Sequence, residues 1–268
     1  MGKKVFMSID IEGINGIVNW DETEPEYARY AEFKEELQRE VNAACNGAIK
    51  AGATEILIKD AHDTARNLNI TDLPECAKLL RGWEGGIASM MAGLDKSFDC
   101  VMYVGYHSPS RSDGNSLSHT MNTSRIHHVK INGEIASEFY INSLYASYLG
   151  VPVAFLSGDE NLTKLVKKEN ENIETVASKT GFHNAVVSKN PRVTWKEIEE
   201  GTEKALNKCS DKNLVKLPKE FDIEIEYVKP SIAYSASFFP GCKLINSDTV
   251  AFHAKNYYDV LVMFKFIL

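Results

Sequence analysis

Short apolar runs alternate with longer amphipathic stretches along the first half of the chain. Val5 to Ile9, Glu55-Ile56-Leu57-Ile58-Lys59, Cys100-Val101-Met102-Tyr103-Val104 and Val151 to Leu156 have the length and residue types of buried strands. A long helical pattern runs from about Glu26 to Lys50, and Gly52 is placed to stop it. A second helical pattern spans roughly Leu73 to Leu80 and leads through a glycine-rich region, Gly82 to Gly93. Strands separated by helical segments predict βαβ units, with the four runs adjacent in one mainly parallel sheet.

One segment breaks the rhythm. Arg125 to Ile131, then Asn132-Gly133, then Glu134-Ile135-Ala136 reads as a β-hairpin, because Asn-Gly suits a type I′ turn. Beyond Gly158 the pattern predicts helices from about Leu162 to Glu171 and Lys196 to Lys208, and a half-exposed strand at Ile223 to Val228. The apolar Val260 to Leu268 reads as a packing helix. The expectation is a three-layer α/β fold, its mainly parallel sheet flanked by helices. Residues 1–158 would form the metal-binding catalytic domain and residues 159–268 a smaller C-terminal α/β subdomain, with no linker between them.

Composition narrows the class. Of 268 residues, 44% are hydrophobic and 25% charged, the balance of a globular chain. A net charge of −7 offers no basic field for nucleic acid, and no apolar run is long enough to span a bilayer. Five scattered cysteines without a Cys-x-x-Cys pair argue for reduced thiols in the cytoplasm, and against both a disulfide framework and a thiolate zinc site. Asp10 interrupts the first apolar run too early for a signal peptide, and Phe6 breaks the myristoylation pattern.

Three of the predicted strands end in metal-ligand chemistry. The first closes with Ser8-Ile9-Asp10-Ile11-Glu12-Gly13, where Asp10 and Glu12 share a face by strand alternation. Two carboxylates so placed repel unless a cation or a shared proton compensates. The second runs into Asp60-Ala61-His62-Asp63 and the third into Gly105-Tyr106-His107. Carboxyl ends of parallel strands share one edge, so Asp10, Glu12, His62 and His107 are expected to converge there. Asp60 and Asp63 read as turn residues or as partners behind the ligands. Mixed carboxylate and imidazole ligation suits zinc, manganese or iron(II), and a bridging carboxylate admits two ions. The Ser-, Asn-, Asp- and Gly-rich Ser108 to Ser118 reads as a long flexible loop delivering His119, a candidate general acid or base. Of two glutamates after it, Glu134 sits beside the exposed Asn-Gly turn. Glu138 has apolar neighbours and is the preferred ligand.

These motifs, in this order, resemble the zinc-dependent D-aminopeptidases of the DppA type. Ser8-Ile9-Asp10-Ile11-Glu12-Gly13-Ile14-Asn15-Gly16 is similar to that family's opening motif. Asp60-Ala61-His62 and Gly105-Tyr106-His107 resemble its next metal segments, and Ser118-His119-Thr120-Met121 resembles its catalytic-histidine segment. Glu138 with Asn142 resembles the last ligand and its following asparagine. The likeness is strongest from Val5 to Asp159. It implies a cytoplasmic dinuclear zinc peptidase, with two Zn2+ per subunit on Asp10, Glu12, His62, His107 and Glu138, and with His119 catalytic. It also implies short peptides with N-terminal D-amino acids as substrates and a homo-oligomer, a decamer of stacked rings. Ser137 stands where the family usually has Gly, and Phe139-Tyr140 replace smaller residues, which puts the pocket's shape in question.

Two other readings accommodate the same residues. Carboxylate and histidine clusters on α/β sheets also serve dinuclear phosphoesterases, although no phosphate loop is present and only Lys59, Arg111 and Arg125 lie near the motifs. A non-catalytic, metal-stabilised scaffold would need no extra base such as His119.

Overall fold

The computed structural model describes residues 2–268. Strand β1 (Lys3–Ile9) sends Val5, Met7 and Ile9 into one apolar cluster and Phe6 into another. It is followed by α1 (Tyr30–Lys50), β2 (Ala53–Asp60), β3 (Ala77–Leu80) and β4 (Cys100–Tyr106). The hairpin β5 (Ile126–Ile131) and β6 (Glu134–Ile135) then leads directly into α2 (Glu138–Leu149), β7 (Val153–Asp159) and α3 (Glu160–Glu169). Next come β8 (Glu174–Phe182), β9 (Ala185–Ser188) and α4 (Pro191–Lys208). The chain ends with β10 (Phe221–Tyr227), α5 (Pro230–Ala236), β11 (Lys243–Leu244), β12 (Thr249–Ala254) and α6 (Tyr257–Ile267).

The strands form a seven-stranded sheet in the order β3-β2-β1-β4-β7-β8-β9, and a five-stranded one in the order β11-β12-β10-β5-β6. In the large sheet every pair is parallel except β8 with β9. The four predicted runs are adjacent there as β2, β1, β4 and β7, as the alternation of the sequence required. Strand β4 shows why both faces must be covered: Met102 and Val104 join the α1 and α4 side, while Val101, Tyr103 and Tyr106 face the other way. That second cluster is shared by α2, α6 and the inner face of the five-stranded sheet. The result is a three-layer α/β architecture. Gly158, the expected subdomain boundary, lies within β7, and each sheet draws strands from both sides of it.

One predicted helix is absent. Residues 73–80 contain instead an extended Leu73, forced by the following Pro74, and then β3, which pairs in parallel with β2 at the edge of the sheet. Pairing with a waiting strand edge overrides the local pattern. Helix α1 starts at Tyr30, four residues after the expected Glu26, and α4 starts earlier than expected, at Pro191 capped by Asn190. The hairpin matches its prediction, with Asn132 and Gly133 both at positive φ (53° and 87°). Among the described residues, no helix is long and apolar enough to cross a membrane.

Gly105 in β4 has φ +74°, and a Cβ there would lie 2.2 Å from the Asp10 carbonyl oxygen. Gly105→Ala is therefore expected to destabilise the fold several-fold more than Gly133→Ala. At Gly133 the φ is also positive but nothing stands in the way, so the cost is on the order of 1 kcal/mol. Urea denaturation of the two variants measures the difference, and equal losses would contradict the close approach.

Candidate metal centre

Asp10 follows the last residue of β1, His107 the last residue of β4, and His62 lies two beyond β2. They meet at the carboxyl edge of the sheet, where the connections from β1 and β4 run to opposite sides and a crevice opens. The loop after β1 can hug β4 only because residue 13 lacks a side chain. Gly13 N–H donates to the Gly105 carbonyl (2.8 Å), and a Cβ on Gly13 would sit 1.8 Å from the Tyr106 carbonyl oxygen. Glu138 enters from the other sheet, as the first residue of α2. Ser137 caps that helix, its side chain accepting from the Tyr140 N–H. His119 arrives on the long loop between β4 and β5.

The six side chains converge. His62 Nδ1 is 3.3 Å from Asp10 Oδ1 and 3.1 Å from Glu12 Oε2. His107 Nε2 is 3.4 Å from Asp10 Oδ2 and 3.6 Å from Glu138 Oε1. His119 Nε2 stands 3.9 Å from Glu12 Oε1 and 3.7 Å from Glu138 Oε1. Each imidazole is anchored through its other nitrogen: His62 Nε2 to the Thr23 carbonyl (2.9 Å), His107 Nδ1 to Ser108 O (2.9 Å) and His119 Nδ1 to Leu117 O (2.8 Å). A carbonyl only accepts, so the anchored nitrogen carries the proton. In a neutral ring the inward nitrogen then presents a lone pair to carboxylate lone pairs. Glu12 Oε2 and His107 Nε2 are buried without any hydrogen-bond partner. Lone pairs facing one another in a buried cluster require a cation between them, either protons or metal.

The electrostatics express the same demand. Burial pushes the Asp10 carboxyl up, and the charge of Glu12 pushes it further. Burial also opposes ionisation of Glu12 and Glu138, but His62 outweighs it at Glu12 and His107 at Glu138, so both lie below the usual carboxylate range, Glu12 well below. Burial would lower the imidazoles. Glu12 at His62 and Glu138 at His107, each helped by Asp10, instead hold both rings well above the ordinary histidine value.

Among the supporting groups, Lys179 and Trp20 carry no motif that sequence reasoning could catch, whereas Ser8, Asn142, Asp60 and Asp63 belong to the motifs already read. Lys179 of β8 is fully buried, and its Nζ donates to the Glu12 and Ile17 carbonyls (2.6 and 2.7 Å), pinning the loop after β1. Burial lowers its pKa to about 8. Trp20 packs edge-on against His119 (5.2 Å between centroids), and the His107 and His119 rings stack at 4.1 Å. Asn142 donates to the Tyr106 hydroxyl (3.1 Å), which meets Ser8 Oγ at 2.7 Å. Asp60 accepts from the Asn67 and Leu68 N–H groups and holds the turn that carries His62, so it shapes the site without facing it. Asp63 lines the cavity above the cluster.

That cavity measures about 390 Å³, and its walls include Trp20, Glu24, Trp83, Met90, Met121 and Asn122. Neither Phe139 nor Tyr140 reaches it: Phe139 is buried against Tyr103, and Tyr140 packs against the same core. Glu134 is exposed on the hairpin, away from the cluster.

The family model for D-aminopeptidases of peptidase family M55 matches residues 3–266. The chain belongs to this D-aminopeptidase family. A D-aminopeptidase of Bacillus subtilis (strain 168) is 29% identical over 266 residues, covering 97% of this chain and 96% of its own. The solved structure of the Zn-dependent D-aminopeptidase DppA from Bacillus subtilis, described as a self-compartmentalizing protease, superimposes with a TM-score of 0.87 at 29% identity. That match covers 98% of this chain and 97% of the other. The family read from five short motifs thus extends over nearly the whole chain.

The shifted groups make this D-aminopeptidase family member's metal dependence a function of pH. The raised His62 and His107 pKa values stabilise the metal-free fold fully below the unfolded value of about 6.5. That contribution is lost as pH rises through the folded values. Glu12 works in the opposite direction, its contribution present above the unfolded carboxylate range and lost on acidification. A metal held by these imidazoles must displace their protons, so the rise in Tm on adding zinc should grow as the pH rises above about 6.5. Thermal denaturation with chelator and with zinc across that range tests it, and a pH-independent rise would contradict it.

Proposed function

We propose that this chain is a zinc-dependent aminopeptidase that removes N-terminal amino acids, D-residues foremost, from short peptides. The observation that carries the reading is a floor of inward-facing carboxylate and imidazole acceptors beneath a cavity whose described lining contains no Lys or Arg. Carboxylate and imidazole donors fit zinc, and Asp10 presents one oxygen to each side of the cluster. Asp10, Glu12 and His62 would hold one ion, and Asp10, His107 and Glu138 a second. Bound zinc supplies Lewis-acid polarisation of the scissile carbonyl and a lower pKa for the attacking water.

The chain's own groups do the rest. Glu24 and Asp63 line the cavity in addition to the cluster, and their charge suits the ammonium of a free peptide N-terminus. His119 Nε2, on the cavity side, accepts the proton of the attacking water as the C–O bond forms. It then returns that proton to the leaving amine nitrogen as the C–N bond breaks. Trp20 and the anchored Nδ1 hold the ring in that tautomer and orientation. A phosphoesterase would place a dianion against this acidic wall without a compensating base, and a scaffold has no use for His119 on the cavity wall. Assembly as a homo-oligomer, a decamer by the family resemblance of the motifs, accords with the self-compartmentalizing relative and with strongly exposed Phe238 and Phe266. A cytoplasmic location accords with five free cysteines.

Zinc-loaded protein assayed against D-alanyl peptides, L-alanyl peptides and a phosphate ester tests the reading. Turnover of the D-alanyl peptide is expected to exceed the others, and activity on the ester alone would overturn it.

Two variants separate base from ligand. His119→Ala should keep its zinc and lose roughly 10²–10⁴ in rate, mainly in kcat. Glu138→Ala should lose zinc and activity together, whereas Glu134→Ala should change neither. Metal analysis beside kinetics reads both, and near-normal turnover by zinc-replete His119→Ala would remove the histidine from the mechanism.

A further inference from the structure

The small sheet carries an irregularity at its centre. Strand β10 pairs with β5 as Ile225 with Val129 and Glu226 with His128, but the next pair is Tyr227 with Ile126. His127 is therefore an extra residue in β5, a β-bulge. Without it His127 would point inward, like Val129 and Ile131, which are buried in the core. The bulge instead turns it to the outer face, beside His128 and opposite Glu226.

Three ligand residues meet there, outside the catalytic cluster. His127 Nδ1 lies 2.9 Å from Glu226 Oε1, His128 Nδ1 lies 3.6 Å from Glu226 Oε2, and the two Nδ1 atoms are 3.5 Å apart. Donors about 2.0–2.1 Å from a tetrahedral ion stand about 3.3 Å from one another. The three side chains, with one ligand atom from each within 4.8 Å of the others, are thus close enough for one tetrahedral ion to draw together. We propose that His127, His128 and Glu226 form a second, separate metal site, open on its solvent side, for an imidazole-preferring divalent ion such as zinc. The His128 side chain is only 5% exposed and supplies the rigid corner, while His127 at 52% leaves room for water as the fourth ligand. Arg111 and Lys130 bring positive charge to His128, and Lys130 is itself paired with Glu224 at 3.4 Å. With one carboxylate against those charges, the site suits zinc, nickel or copper(II) and not magnesium or calcium. A bound ion would tie the extra residue of β5 to β10.

The test is equilibrium dialysis of the tag-free full chain against zinc, comparing wild type with His127→Ala and Glu226→Gln. Both changes are at solvent-accessible positions and leave the catalytic residues intact, and circular dichroism checks the fold. Wild type is expected to bind one zinc per chain more than either variant, however many the catalytic cluster holds. Copper(II) added to zinc-filled wild type should also give an electron paramagnetic resonance spectrum with imidazole-nitrogen couplings that both variants lack. Equal stoichiometry in all three proteins, or identical copper spectra, would overturn the proposal.

Discussion

Three carboxylates and three imidazoles packed into one water-poor crevice cannot all keep their ordinary protonation states. That constraint organises the molecule. Each ring has its outward nitrogen tied to a backbone carbonyl, which leaves the inward nitrogen as an acceptor or as the holder of an extra proton. The carboxylates in turn receive few hydrogen bonds from the protein. Glu138 Oε1 accepts from the Met121 N–H (2.7 Å), while Glu12 Oε2 accepts from nothing. The protein withholds donors where a cation belongs.

The backbone around the crevice is held by groups that do not touch the cluster. Asp159, at the end of β7, accepts from the Ser108 N–H and hydroxyl (2.6 and 2.5 Å) and caps α3 through the Leu162 N–H (2.8 Å). Asn115 donates to the Glu12 carbonyl (2.9 Å), and Thr120 Oγ1 donates to the Ala136 carbonyl (2.9 Å). The Ser- and Gly-rich segment before His119 reads in sequence as a flexible loop, yet its polar side chains are bonded to the loop after β1 and to the end of β7. Ser and Asn there serve to fasten the segment, a role that composition cannot distinguish from solvation. Glu12 is consequently bracketed from two directions, by Asn115 and by Lys179.

The legible parts of the chain were those set by local chemistry. Apolar alternation in β1 and β4 placed the sheet, Asn132-Gly133 placed the hairpin, and strand-end Asp10, His62 and His107 placed the edge. The choice of Glu138 over Glu134 followed from apolar neighbours alone, and the structure buries the first and exposes the second. Less legible was anything decided by distant pairing. Strand β3 exists because β2 offers it an edge, and Pro74 was the one local warning. Lys179 reads in sequence as one more surface lysine. Only the return of β8 to the sheet makes it the buried cation beneath Glu12. Trp20 and Glu24 sit in a stretch without regular periodicity, and the cavity that gives them meaning is formed by five separate segments.

The division of labour between the two sheets follows from the same constraint. The large sheet can bring Asp10, His62 and His107 to one edge, because parallel strands end there. It cannot easily supply a carboxylate from above that edge. The hairpin does so: β5 and β6 belong to the small sheet, and the two residues after β6 open α2 with Glu138 aimed at His107. Helix α2 then packs between the sheets, with Phe139 against Tyr103 and the Ile141 carbonyl accepting from Tyr257 of α6 (2.6 Å). The side chains of Phe139 and Tyr140 therefore pack into the joint between the layers and leave the cavity untouched. The spacing of the sheets thus sets how far Glu138 stands from the strand-end histidines, and so how large an ion the crevice can accept.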